Sequence, residues 1–263
     1  MNTTITIHSW IGRAGNNIFQ VLNTIAYCQK YHHRFCVGDR PPLIKSFSLD
    51  FSSGKSTGSR SVQLFYLDKE CPELIVTTDD RRKIAREYLS DKINCSIPKI
   101  DEGTLVVHLR SGDIMGPRPH GEYVQPPLAF YRRIIKDHSF QKILIVTEID
   151  RRNPVIAALV REFDAEVLCR NAQEDFGVLL GAVHFCPAFS SFSLTAALLA
   201  PMVKHIYIPS FPYNTFDNHN CLAKFCNFTR YKINDYIQRG KWNANLEQLN
   251  QMIAFPDDQV ALD

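Results

Sequence analysis

A chain of 263 residues that is 45% hydrophobic and 22% charged falls in the ordinary globular range, long enough for one large domain or two small ones. Its 30 basic and 27 acidic residues are interspersed and leave a net charge of +3, too mild a field for nucleic acid but suited to an anionic small molecule. No apolar run approaches the roughly 18 residues of a membrane span, which excludes a spanning segment.

The first seven residues lack the basic start and apolar stretch of a signal peptide. Cys28, Cys36, Cys71, Cys95, Cys169, Cys186, Cys221 and Cys226 form no CxxC pair, so a reducing, cytoplasmic setting is expected. In that setting the glycosylation sequons at Asn2, Asn94 and Asn227 are chance matches.

In chain order, Ile5, Thr6 and Ile7 predict a short strand, and residues 12–17 a glycine-bearing turn. Ile18, Phe19, Leu22, Ile25 and Ala26 then follow at helical spacing, so the opening reads strand, tight loop, helix. Residues 34–37 predict a second strand, ended by Gly38, Asp39, Arg40 and two prolines. Residues 46–61, rich in serine and glycine, read as a loop, 74–76 as a strand and 79–89 as a helix. A domain boundary is placed near residue 100.

Residues 104–109 form a near-continuous apolar run of the kind buried on both faces of a parallel sheet. Beyond it the pattern predicts helices at 128–135, 154–163, 176–182 and 193–200. They alternate with strands at 143–146, 165–168, 183–185 and 204–208. This alternation predicts an α/β fold with parallel sheets in two Rossmann-like halves, 1–100 and 101–235. The last stretch, 236–263, carries Leu246, Leu249 and Ile253 at helical spacing and is expected to pack back onto the first half.

Ligands of parallel α/β sheets bind beyond the carboxyl ends of the strands, which directs attention to His108, Arg110, Ser111, Gly112 and Asp113. A guanidinium there can grip a diphosphate through paired charge-assisted hydrogen bonds, with the carboxylate fixing its orientation. The same residues also read as a core histidine beside a surface Arg–Asp ion pair. A second cluster, Ser190, Ser191, Phe192 and Ser193, precedes a helix, where amides and hydroxyls make an anion site without a metal. One serine would suffice as an N-cap, and three in four positions exceed that need. The third cluster is Gly12, Arg13, Gly15, Asn16 and Asn17, whose glycines let a ligand approach the backbone.

In this order the three clusters resemble the fucosyltransferase superfamily, which includes the bacterial α-1,2-fucosyltransferases and the protein O-fucosyltransferases. The family motif Gly-Arg-(Phe or Leu)-Gly-Asn-(Gln or Asn) is matched by residues 12–17, with Ala14 as the departure. His-x-Arg-x-Gly-Asp is matched fully by His108, Arg110, Gly112 and Asp113, and Ser-Ser-Phe-(Ser or Thr) by Ser190 to Ser193. The resemblance implies a GT-B-like pair of domains, the first on the acceptor side and the second binding the nucleotide sugar. It further implies inversion at the anomeric carbon without a required metal or other cofactor.

Arg110 would then hold the β-phosphate, the serines would close around the phosphates, and Asn16 with its glycine loop would meet phosphate and sugar. Asp175 stands where the family places a guanine-binding aspartate. A carboxylate can accept both guanine N–H groups whereas uracil offers one, so GDP-fucose is the expected donor and a glycan hydroxyl the acceptor. Asp79 and Asp80 are adjacent rather than alternating, so they read as a helix start and not as a metal-binding Asp-x-Asp. For the base that takes the acceptor proton, Asp39 is the first choice by position, followed by Glu148 and Glu122, although Asp39 also reads as the residue that begins the turn at 38–41. Alternatives are the same scaffold with another donor such as UDP-xylose, or a catalytically silent module that binds nucleotide sugar or glycan. No Walker loop or complete Gly-x-Gly-x-x-Gly supports another class of nucleotide enzyme.

Overall fold

A computed structural model describes residues 3–38, 41–54, 57–212 and 222–263, and divides the chain between Ser96 and Ile97 into two units, each built on its own sheet. The first unit carries β1 (Thr3–Ile7), α1 (Ala14–Tyr31), β2 (Arg34–Val37), β3 (Phe47–Asp50), β4 (Gly58–Val62), α2 (Leu67–Glu70) and α3 (Thr78–Ile84). Its sheet runs β3-β2-β1-β4, parallel except for the β2/β3 pair. Ile18, Val21, Leu22 and Ile25 recur at helical spacing and are fully buried, which fixes the face that α1 turns to the core. α1 stops where His32 turns left-handed at φ 55°. At α3, Thr77 and Asp80 form a reciprocal capping box, in agreement with reading Asp79 and Asp80 as a helix start.

Two expectations for this unit are corrected. Residues 46–61 hold two strands instead of a loop. β4 has the sequence GSRSV and is exposed over four of its five residues, yet every residue pairs with β1. Backbone hydrogen bonding, rather than side-chain burial, holds that edge strand, and composition does not reveal it. Conversely, 74–76 form no strand: Leu74 is buried but Ile75 is 84% exposed, so the apolar run is an irregular approach to α3.

The second unit carries β5 (Thr104–Leu109), α4 (Leu128–His138), β6 (Lys142–Thr147), α5 (Pro154–Phe163), β7 (Glu166–Leu168), α6 (Ala172–Gly181), β8 (His184–Cys186) and α7 (Ser191–Leu199). β9 (His205–Ser210), β10 (Asn227–Ile233), α8 (Leu246–Ala254) and β11 (Val260–Leu262) complete it. The seven strands run β11-β10-β9-β8-β5-β6-β7, all parallel but for β11. All six residues of β5 are buried, as expected for a central strand covered on both faces. α4, α5 and α8 pack together, and α6 packs on α7.

The architecture is α/β with parallel sheets, as the alternation predicts. The final stretch corrects an expectation, for α8 lies against α4 and α5, and β11 pairs with β10 inside this unit. Among the described residues no helix is long and apolar enough to cross a membrane.

Candidate functional site

From β5 the chain steps outward to β6 and β7, then α6 carries it back to β8 on the other flank of β5. The strand order therefore reverses between β5 and β8. At such a point the segments leaving neighbouring strands diverge and open a crevice at their carboxyl ends. Residues 110–113 leave β5, and residues 187–190 leave β8 and lead into α7. Two of the three clusters found in the sequence thus flank one reversal point.

The segment after β5 is held by a dense set of hydrogen bonds. Arg110 Nη2 donates to Asp113 Oδ1 at 2.9 Å, and the guanidinium lies 4.9 Å from the centre of the Tyr123 ring. The Ser111 amide donates to Glu148 Oε2 at 2.6 Å. Asn153 donates through its side chain to the Arg110 carbonyl at 2.9 Å and through its amide to Ser111 Oγ at 3.1 Å. Arg152 donates to the carbonyls of Gly112 and Met115 at 3.0 and 3.1 Å. Glu148, expected as a candidate base, here fastens the loop that carries Arg110. Asn153 and Arg152 belong to no motif of the sequence. The Asn-Pro start of α5 is a legible helix cap, and the Asn153 side chain does accept from the Val155 amide. Its second task, on a loop 43 residues away, leaves no local pattern.

On the β8 side the three serines separate into different tasks. Ser190 is the N-cap of α7 and accepts from the Phe192 amide at 3.1 Å. Ser191 lies half-buried in the first turn, where helix amides and the dipole favour an anion. Ser193 is fully buried, accepts from the Ala188 amide at 3.2 Å and is hydrogen-bonded to His108 Nδ1. That bond ties the two flanks of the reversal point together. Burial, reinforced by the charge of Arg110, pushes the His108 imidazole down to about 3, so it is neutral near pH 7. Phe192 packs against both His108 and Phe176, with ring centres 5.7 and 5.1 Å apart.

Asp175 sits buried in the first turn of α6 and accepts from the Arg170 amide at 3.2 Å. Burial raises its carboxyl to about 6, the Arg170 amide and charge oppose the shift, and the Glu174 and Glu148 charges add to it. Arg110, Glu148, Asp175 and Ser193 therefore follow or adjoin the carboxyl ends of β5, β6, β7 and β8, which are neighbours in one sheet.

In the first unit the strand order reverses between β1 and β4, and residues 12–17 stand just beyond β1. Gly12 and Gly112, the turn glycines of their respective motifs, hold φ of +64° and +43°, a region other residues enter at a cost. Arg13 is exposed at the N-cap of α1 and Gly15 is buried in its first turn, while the Asn16 amide lies against Gly12. Asn17 is buried and donates to the Ile11 carbonyl at 3.0 Å, which fastens the loop. Gln20, missed in the sequence, is fully buried. It accepts from the Ile11 amide at 2.7 Å and donates to the carbonyls of Ser9 and Gln63, closing the loop after β1 onto that after β4. Asp39 lies outside the described residues. Glu122 is ion-paired with Arg239.

No family model and no curated protein sequence matches the chain. Among solved structures, POFUT1 in complex with GDP superposes with a TM-score of 0.43 at 9% identity, covering 79% of this chain and 98% of that one. POFUT1 in complex with GDP-fucose gives 0.42 at 9% identity with the same coverage. The E. coli heptosyltransferase WaaC with ADP gives 0.41 at 12%, covering 95% and 98%. Likeness of this size concerns the arrangement of helices and strands and says nothing of chemistry.

Proposed function

We propose that the protein is an inverting, metal-independent glycosyltransferase that moves L-fucose from GDP-fucose to a hydroxyl of a glycan acceptor. The observation that carries this reading is the reversal point of the second sheet. There a held arginine stands on one flank and the start of a serine-capped helix on the other, and the His108–Ser193 hydrogen bond joins the two flanks. Fixed positive charge and aligned amides stabilise a diphosphate leaving group as the bond from the sugar carbon to the phosphate oxygen breaks. The acceptor oxygen attacks the opposite face of that carbon and gives its proton to a base, for which Asp39 remains the candidate. The motif residues in the order of the fucosyltransferase superfamily support the donor class, and the seven described cysteines, all free thiols, suit a cytoplasmic setting.

A silent binding module is the second reading, favoured by one observation: Glu148 and Glu122 are both engaged in holding loops. Incubation with GDP-fucose and a panel of glycan acceptors separates the two. Acceptor-dependent release of GDP supports the transferase, and GDP binding without any such release supports the module. In the same assay, turnover in 5 mM-scale EDTA is expected to stay within about 2-fold of the untreated rate, since arginine and helix amides take the place of a cation. Complete loss restored by magnesium or manganese sinks the metal-independent mechanism.

Asp175 supplies the test of the guanine nucleotide. A carboxylate accepts both guanine N–H groups only while charged, and in addition to the Arg170 amide it has lone pairs to spare. Because burial raises its carboxyl to about 6, the charged form is lost as the pH falls through that value. GDP affinity is therefore expected to drop more steeply than UDP affinity between pH 7 and 5, UDP correcting for the shared phosphate titration. In Asp175→Asn the two nucleotides should titrate alike. Equal pH profiles for GDP and UDP in the wild type would remove Asp175 from guanine recognition.

A further inference from the structure

We propose that Tyr123 is a positioning residue for Arg110, its ring held against the guanidinium by a strap of residues 238–242 from the far end of the second unit. The proposal rests on the reading of Arg110 as the diphosphate-gripping group.

Arginine side chains carry several rotatable bonds and sample many rotamers unless something holds them. Arg110 is held on two sides. Asp113 takes one N–H at its edge, and the Tyr123 ring lies 4.9 Å from the guanidinium carbon, within cation–π range. A guanidinium has five N–H donors, so the remaining ones are available to an incoming anion. Tyr123 in turn packs on Phe189, with ring centres 5.6 Å apart, and Phe189 belongs to the segment leaving β8. The aromatic pair therefore bridges the two flanks a second time, beside Arg110.

Between residues 116 and 127 the loop carrying Tyr123 has no helix or strand; within it the Tyr123 amide donates to the His120 carbonyl at 3.0 Å, the two rings lie 5.3 Å apart, and Gln125 donates to the Tyr123 carbonyl at 2.9 Å. The strap fastens this turn to the rest of the unit. The Trp242 indole, 2% exposed, donates to the Ile114 carbonyl at 2.8 Å. The amides of Gly240 and Trp242 donate to the Gly121 carbonyl at 3.0 and 3.3 Å, and Arg239 pairs with Glu122. Contact at Gly121 is so close that a Cβ there would lie 2.6 Å from the Gly240 carbonyl oxygen, and backbone cannot yield as a side chain can. Fastened at residues 114, 121 and 122, the loop brings both Asp113 and Tyr123 to Arg110. The ion pair of Glu122 is thus explained as part of a loop anchor.

Calorimetric titration of the full chain with inorganic pyrophosphate and with GDP tests the proposal. Tyr123→Leu, which keeps bulk but loses the ring face, is expected to weaken both ligands by about 10-fold. Tyr123→Phe, which keeps the ring, should stay within about 2-fold of wild type, and both variants should unfold within a few degrees of it. Tyr123→Met provides the same comparison if leucine does not pack. Pyrophosphate affinity unchanged in the leucine and methionine variants, or reduced equally by phenylalanine, overturns the role of Tyr123. Wild-type protein that binds pyrophosphate but not GDP, with the leucine variant again weaker, supports Tyr123 and removes the nucleotide reading. Wild-type protein that binds neither overturns both.

Discussion

Arg110→Lys is expected to lower GDP-fucose-dependent turnover by about 100- to 1,000-fold while leaving the fold intact. Lysine keeps the charge but replaces a planar five-donor fork with a point charge, which cannot hold two phosphate oxygens in one plane. Two features of this site enlarge the loss. The Tyr123 ring lies beside a planar group that lysine lacks, and Asp113 would draw an ammonium toward itself with no second edge left for the ligand. The fold should survive because the arginine's side-chain partners are a half-exposed Asp113 and a half-buried ring, while its backbone is held independently by Asn153. Steady-state kinetics beside a denaturant melt provide the check. Turnover within a few-fold of wild type at unchanged KM takes Arg110 out of the reacting region.

Ser193→Ala should be among the most destabilising single changes in the second unit, at about 2–4 kcal/mol. Removing one hydroxyl leaves two buried groups without their partner, the Ala188 amide and His108 Nδ1, each worth roughly 1–3 kcal/mol when orphaned. Its neighbours set the scale. Ser190→Ala removes an N-cap and is expected to cost about 1 kcal/mol, while Ser191→Ala, half-buried in the first turn, should stay within about 0.5 kcal/mol. Denaturant midpoints of the three variants test this order. If Ser193→Ala is as stable as Ser191→Ala, His108 is not fastened to α7 in the way described. Activity should separate the same residues differently, since Ser191 stands in the helix turn proposed to meet the phosphates.

What the sequence disclosed and what it concealed follow from the range of the forces involved. The strand at 104–109 and the helix at 154–163 were legible to the residue, because a continuous buried run and an Asn-Pro start act over a few neighbouring positions. The Ser190 to Ser193 turn was legible as a cluster. That one serine caps, one is half-buried at the helix start and one is buried against a histidine 85 residues earlier is decided by the sheet order. β4 and β10 escaped notice because serine, arginine and lysine obscure the period of two, and partners β1 and β9 supply their order instead. Asn17 was chosen for its motif position, while Gln20, three residues on, does more to close the same loop. Tyr123 and Phe189 carry no motif, since their roles rest on a guanidinium 13 residues earlier and on a ring pair formed across the two flanks.

The strap and the last strand also set a timetable for synthesis. The first sheet has all four of its strands once residue 62 has left the ribosome. The second begins at residue 104, gains β8 beside β5 only after two other strands have been laid down, and is completed by residues 260–262. Arg110 is thus translated more than a hundred residues before Trp242, whose indole anchors its loop. Non-local pairing of this kind is slow and leaves sheet edges exposed while it waits. During elongation the nascent second unit presents an open β-edge and an unanchored loop, so chaperone engagement should concentrate on ribosome-bound chains stalled between residues 110 and 240.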